Sequence, residues 1–91
     1  GKVINMDRLV FNRKVNGKDI ECDAIVTYHD DNTNKDFIVY TDKTLNEEGK
    51  LRIYYSYYKM NGNKIELSPV EDLEGKKIGL ELIKEVISYM K

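Results

Sequence analysis

An α+β fold, with an antiparallel β-meander of four to five strands and one C-terminal α-helix packed on one face, is what this sequence predicts. Three observations predict it. The first half of the chain reads as period-two strands divided by turn residues, Asn-Gly pairs at Asn16-Gly17 and Asn61-Gly62 mark hairpins, and beyond Pro69 the apolar spacing becomes helical.

Asn16-Gly17 is a strong hairpin signal because both residue types tolerate the positive φ of a type I′ turn. With these two as the loop, Phe11 faces Cys22 and Leu9 faces Ala24, and the run Ile20, Cys22, Ala24, Val26, Tyr28 shares their side. The polar cluster Asp30 to Lys35 then turns the chain into Phe37-Ile38-Val39-Tyr40, a third strand of β-branched and aromatic residues. Asp42 to Lys50 carries only Leu45 as a large apolar residue and suits an exposed loop. The stretch Arg52-Ile53-Tyr54-Tyr55-Ser56-Tyr57-Tyr58-Lys59 is the fourth strand, and Ile65-Glu66-Leu67 the fifth. Pro69 closes the sheet, since it has no N–H for the ladder.

The helix is expected over residues 78–90, starting late because Gly75 and Gly79 weaken its first turns. Leu80, Ile83, Ile87 and Met90 recur at helical spacing with Leu82 and Val86 beside them, and Ile83, Val86, Ile87 and Met90 are the expected contacts to the sheet. The whole chain, 1–91, reads as one domain, with residues 1–5 an added remnant, the trimmed edge of a longer chain, or disordered, since Met6 could be a native start and Gly1 could not.

Only one face of the fourth strand can meet the helix. A three-residue loop, Met60-Asn61-Gly62, pairs Tyr57 with Ile65 and Tyr55 with Leu67 and keeps the aliphatic side chains together, so it is preferred to a two-residue Asn61-Gly62 loop. Arg52, Tyr54 and Tyr58 then stand on the opposite, open face. With Lys59 they form the candidate binding surface, either a solvated row of strand tyrosines or an aromatic platform.

Other chemistry is sparse. Asp30, Asn32 and Asn34 open like a calcium loop, but Lys35 stands where its glycine belongs and Thr41 where its glutamate belongs, so a polar turn is expected. Cys22 and His29 lie seven apart, aimed at opposite faces of a continuous strand, and form no catalytic pair. One cysteine and one histidine are too few for a structural zinc site, and a single cysteine suits a reducing, cytoplasmic setting. No catalytic residues, metal or cofactor are expected. No apolar run spans a membrane, and a net charge of −1 disfavours nucleic acid.

From about Ile25 to Val86 the chain resembles the YrzB-like family, small bacterial proteins with a domain of unknown function. The stretches that carry the resemblance are "IVTYHDDNTNKDFIVYTD", "NEEGK", "IYYSYY", "IELSPVED" and "LELIKEVI". The resemblance implies the same strand, turn and helix order and no catalytic residues; this chain lacks the tryptophan and the acidic tail usual in that family. The functional expectation is a protein-interaction or accessory module that uses the open sheet face for a protein partner or as a homodimer. A module for single-stranded nucleic acid and a small enzyme whose site the sequence does not display are the alternatives.

Overall fold

A computed structural model describes the backbone of residues 2–90 and the side chains of residues 9–90, so the expectation about residues 1–5 falls outside the described side chains. The chain runs β1 (Lys2–Val15), β2 (Lys18–Asp30), β3 (Lys35–Thr41), β4 (Tyr54–Asn61), β5 (Lys64–Ser68) and α1 (Leu73–Tyr89). The five strands form one antiparallel sheet in sequence order, a meander, with α1 packed against β3 and β4.

The first hairpin has the expected register. Asn16 and Gly17 adopt φ of 52° and 79°, and Phe11 pairs with Cys22 and Leu9 with Ala24. The four-residue β2–β3 turn is closed by Asp30, whose buried carboxylate accepts from the Thr33 N–H at 3.0 Å and from its hydroxyl at 2.6 Å. Those two bonds hold the Asp30 carboxyl below its usual pKa range, the hydroxyl contributing most. Asn34 takes a φ of 56° and completes the reversal, so the alternating oxygens serve a turn.

Beyond Ala24 the expected face assignment is wrong. Ala24 pairs with Tyr40 and Val26 with Val39, leaving Ile25 as an extra residue, a β-bulge. Every side chain after it changes side: Cys22 and Ala24 belong to one cluster with Phe11, Ile38 and Tyr40, whereas Val26 joins Phe37, Val39, Leu82 and Val86 beneath the helix. The bulge also brings Cys22 and His29 to the same side of the strand. Seven residues of strand, about 23 Å at the usual rise, still keep them apart. His29 instead bonds Asp36 through Nδ1 at 2.7 Å, while Cys22 is fully buried and burial pushes its thiol pKa up.

The β4–β5 turn is a second correction. Asn61 pairs with Lys64, so the loop is Gly62-Asn63, neither of the registers weighed from the sequence. Gly62 has a φ of 62° and Asn63 no positive φ, the glycine-first arrangement of a type II′ turn. Tyr58 therefore pairs with Leu67 and Met60 with Ile65, and Ile65 and Leu67 pack on the face away from the helix. Tyr55 and Tyr57 keep their expected place under α1, because their side is fixed by β3, where Val39 pairs with Tyr55 and Phe37 with Tyr57.

Helix α1 begins at Leu73, five residues earlier than expected. Its glycines explain why. A Cβ on Gly79 would lie 2.3 Å from the Tyr55 ring, and one on Gly75 would overlap the Tyr57 hydroxyl, so the two glycines form a notch into which β4 tyrosines seat. Close approach outweighs the propensity penalty of about 1 kcal/mol per glycine. Asp72 caps this end: it accepts from the Gly75 N–H at 2.8 Å and from the Tyr57 hydroxyl at 2.6 Å, tying helix to strand. The buried stripe is Gly75, Gly79, Leu82 and Val86. Of the expected contacts only Val86 is buried; Ile83 is half-buried, and Ile87 and Met90 are 44% and 52% exposed.

The Tyr57 pKa is pushed up to about 12, first by burial and then by the Asp72 carboxylate that accepts its hydrogen bond. A tyrosine in the unfolded chain titrates near 10, so the folded protein holds this proton more tightly. The stabilisation is whole below about pH 10 and is lost as pH rises through about 12. The denaturation midpoint of the protein is expected to fall more steeply across that interval than that of Tyr57→Phe; parallel curves would contradict the assignment.

Candidate functional site

The face opposite α1 is a trough rather than a flat surface. In a flat sheet β1 and β4 would stand about 14 Å apart, three spacings of about 4.8 Å. Yet the Arg13 guanidinium of β1 lies 5.7 Å from the Tyr54 ring of β4 and 5.8 Å from the Tyr40 ring of β3. Side-chain reach spans part of that gap and curl of the sheet the rest, as bulged and twisted antiparallel sheets allow and as the full burial of Cys22 and Ile38 on this helix-free face requires. Curling closes the middle of the trough: Cys22 and Ile38 are fully buried there, Tyr40 nearly so, and the Phe11 and Tyr40 rings meet edge to face at 5.5 Å. The expectation that the helix hides one face and leaves the other bare is thus corrected. What stays accessible is the β4–β5 side, where Tyr54, Tyr58, Ile65 and Leu67 are half-buried against that core.

The four sequence-predicted residues are not brought together. Tyr54 stacks on Tyr40 at 5.4 Å, donates its hydroxyl to Asp42 at 3.0 Å, and has its pKa raised, first by burial and then by that carboxylate. Asp42, whose carboxyl is held below its usual range mainly by the Thr44 hydroxyl, thus fixes Tyr54 in place as a wall of the trough. Tyr58 lies on the same face beside Leu67 and is the more available of the pair, lacking a ring partner among the described residues. Arg52 precedes β4 and is exposed, its N–H bonded to the Thr44 carbonyl at 2.9 Å. Lys59 alternates with Tyr58, pairs with Glu66 and projects to the helix side.

Among the described residues, the cation that stands over tyrosines of this face is Arg13, above Tyr40 and Tyr54; Lys35 stands over Tyr57 on the helix side. The sequence carries a signal for it: Arg13 follows Phe11 by two residues and pairs with Ile20, so it points into the core side of β1. Between β1 and the β4–β5 pair opens a groove of about 710 Å³, lined among others by Arg13, Tyr40, Tyr54, Ile65 and Leu67. Its lining mixes aromatic and aliphatic side chains with polar groups, Asn12 and Ser56 among them, and has basic residues on one wall, an arrangement able to bind a ligand that is partly apolar and partly polar.

Among the described residues, no group of three or more His, Cys, Asp and Glu side chains is placed to hold a metal ion. No described helix is long and apolar enough to cross a membrane. No protein-family model matches the chain, and comparison with the curated proteins and with the solved structures returns no match.

Proposed function

We propose that the chain is a small cytoplasmic, bacterial interaction or accessory module whose protein partner seats on the curled sheet face around Tyr58, Leu67 and the adjoining groove. The observation that carries this reading is the placement of Tyr54, Tyr58, Ile65 and Leu67, aromatic and aliphatic and each half-buried, on one accessible side, with Arg13 over the Tyr54 ring. Aromatic residues and arginine are the types enriched at binding surfaces, while lysine and glutamate are depleted there. The YrzB-like relationship is proposed with it, on the sequence stretches that carry the resemblance. Use of this face by a second copy of the chain is the same reading with a different partner.

Tyr58→Ala and Leu67→Lys are expected to leave the thermal midpoint within a few degrees of the parent, because Tyr58 and Leu67 lie at the accessible margin of their cluster. They are expected to abolish proteins captured from the source-cell lysate by the parent chain, or its self-association in sedimentation. Capture and sedimentation that ignore both substitutions would refute the reading.

A further inference from the structure

The strands β4 and β5 do not end together. β4 pairs with β3 through Tyr54, Tyr55, Ser56 and Tyr57, but its ladder with β5 stops at Tyr57–Ser68. Pro69 follows and cannot donate, so the chain leaves the sheet toward α1, where Val70 packs beneath the helix. The Ser56 hydroxyl donates to the Ser68 carbonyl at 2.6 Å and marks the end of the ladder. Past that point the β4 backbone at Tyr54–Ser56 is paired, among the described residues, on its β3 side only, a ready template for another strand.

This open edge lies in the 710 Å³ groove. Leu67 and Tyr54 line it on the trough side, and Val70 and Ile83 on the helix side, so a strand laid along the edge would find apolar walls for both sets of its alternating side chains. Among the described residues, the charged ones lining the groove are Arg13 and Lys14, both basic. Ile83 is half-buried and lines the same groove.

We propose that the β4 edge at Tyr54–Ser56 takes up an extended peptide carrying an acidic side chain, added as an antiparallel strand in line with β5. Main-chain hydrogen bonds supply affinity in strand addition, and the flanking pockets and the Arg13 wall supply selectivity. The inference rests on the interaction-module reading and names its partner.

The test selects binders to the full chain from a displayed library of random short peptides, then measures synthetic copies by fluorescence polarisation and amide exchange. Enriched peptides are expected to alternate apolar residues, to contain Asp or Glu, and to lose binding when alternate backbone nitrogens, but not the intervening ones, are methylated. They are also expected to slow amide exchange at Tyr54–Ser56, and to bind Arg13→Glu, and to a lesser degree Arg13→Gln, roughly tenfold or more weakly. Enriched peptides that tolerate every methylation, or whose affinity ignores both Arg13 variants, would overturn strand addition. If such peptides are nonetheless lost with Tyr58→Ala, the sheet-face reading stands without it; a library with no binder, together with lysate capture indifferent to Tyr58→Ala, overturns both.

Discussion

Replacing Phe37 by Ala is expected to remove about 3–5 kcal/mol of folding stability, the range for deleting a large aromatic side chain from a core that cannot collapse around the gap. Phe37 has no solvent exposure. Its ring sits 4.8 Å from that of Tyr57 and 6.2 Å from that of Tyr28, beneath the helix, and rings on neighbouring strands cannot close the space without moving the ladder. Small domains hold about 5–15 kcal/mol in all, so the variant should be marginally folded at room temperature. Chemical denaturation checks this directly. A loss under 1 kcal/mol would mean that α1 is not seated where the structure has it. Phe37→Leu, which keeps most of the volume, should recover most of the loss.

Gly79→Ala is expected to destabilise, against the direction that helix propensity dictates. In a free helix the change gains about 1 kcal/mol. Here the new methyl would stand 2.3 and 2.4 Å from two Tyr55 ring carbons, and these belong to a ring flanked by neighbouring core residues. Forcing atoms into a filled core costs about 1–3 kcal/mol, and occasionally more, so the clash wins and the thermal midpoint should fall by roughly 4–8 °C per kcal/mol for a domain of this size. Tyr55→Leu removes the ring that meets the methyl. In the Tyr55→Leu background Gly79→Ala should therefore become neutral or stabilising, a coupling that a double-mutant cycle reads. Gly79→Ala raising the midpoint in the parent chain would show that α1 does not approach β4 through its glycines.

The parts of the fold legible in the sequence are those where one local signal has one physical outcome. Asn16-Gly17 has a single turn type open to it and sets the register of β1 with β2. The stretch Gly62-Asn63 is different: Asn61-Gly62-Asn63 offers overlapping pairs of turn residues, and the chain uses the glycine-first one, shifting β5 away from both expected registers. Tyr54 and Tyr58 nevertheless stand on the expected face, because the side of β4 is dictated by its pairing with β3. The bulge at Ile25 carries no Gly or Pro to announce it. Its trace is the uninterrupted run Ala24-Ile25-Val26, where strict alternation fails. Gly75 and Gly79 look like helix breakers until the tyrosines they accommodate are known to lie opposite.

The candidate site was half legible. Alternation along β4 identifies Tyr54 and Tyr58 but cannot show that Tyr54 is tied to Tyr40 and Asp42, which makes it a structural wall more than a free contact. Lys59 is excluded by the same alternation. Alternation from Phe11 shows which side of β1 Arg13 faces, but its meeting with the Tyr54 ring and the open β4 edge depend on sheet curl and on where β5 stops, long-range outcomes that no local pattern encodes.

The most direct test of the two-faced sheet is a nuclear Overhauser spectrum of the intact chain. Contacts are expected between the Tyr58 ring and the Leu67 methyls and between the Tyr55 ring and the Gly79 α-protons. Contacts between Tyr57 and Ile65 and between Tyr55 and Leu67 instead would turn β5 over, place Leu67 under the helix and remove a wall from the proposed binding groove.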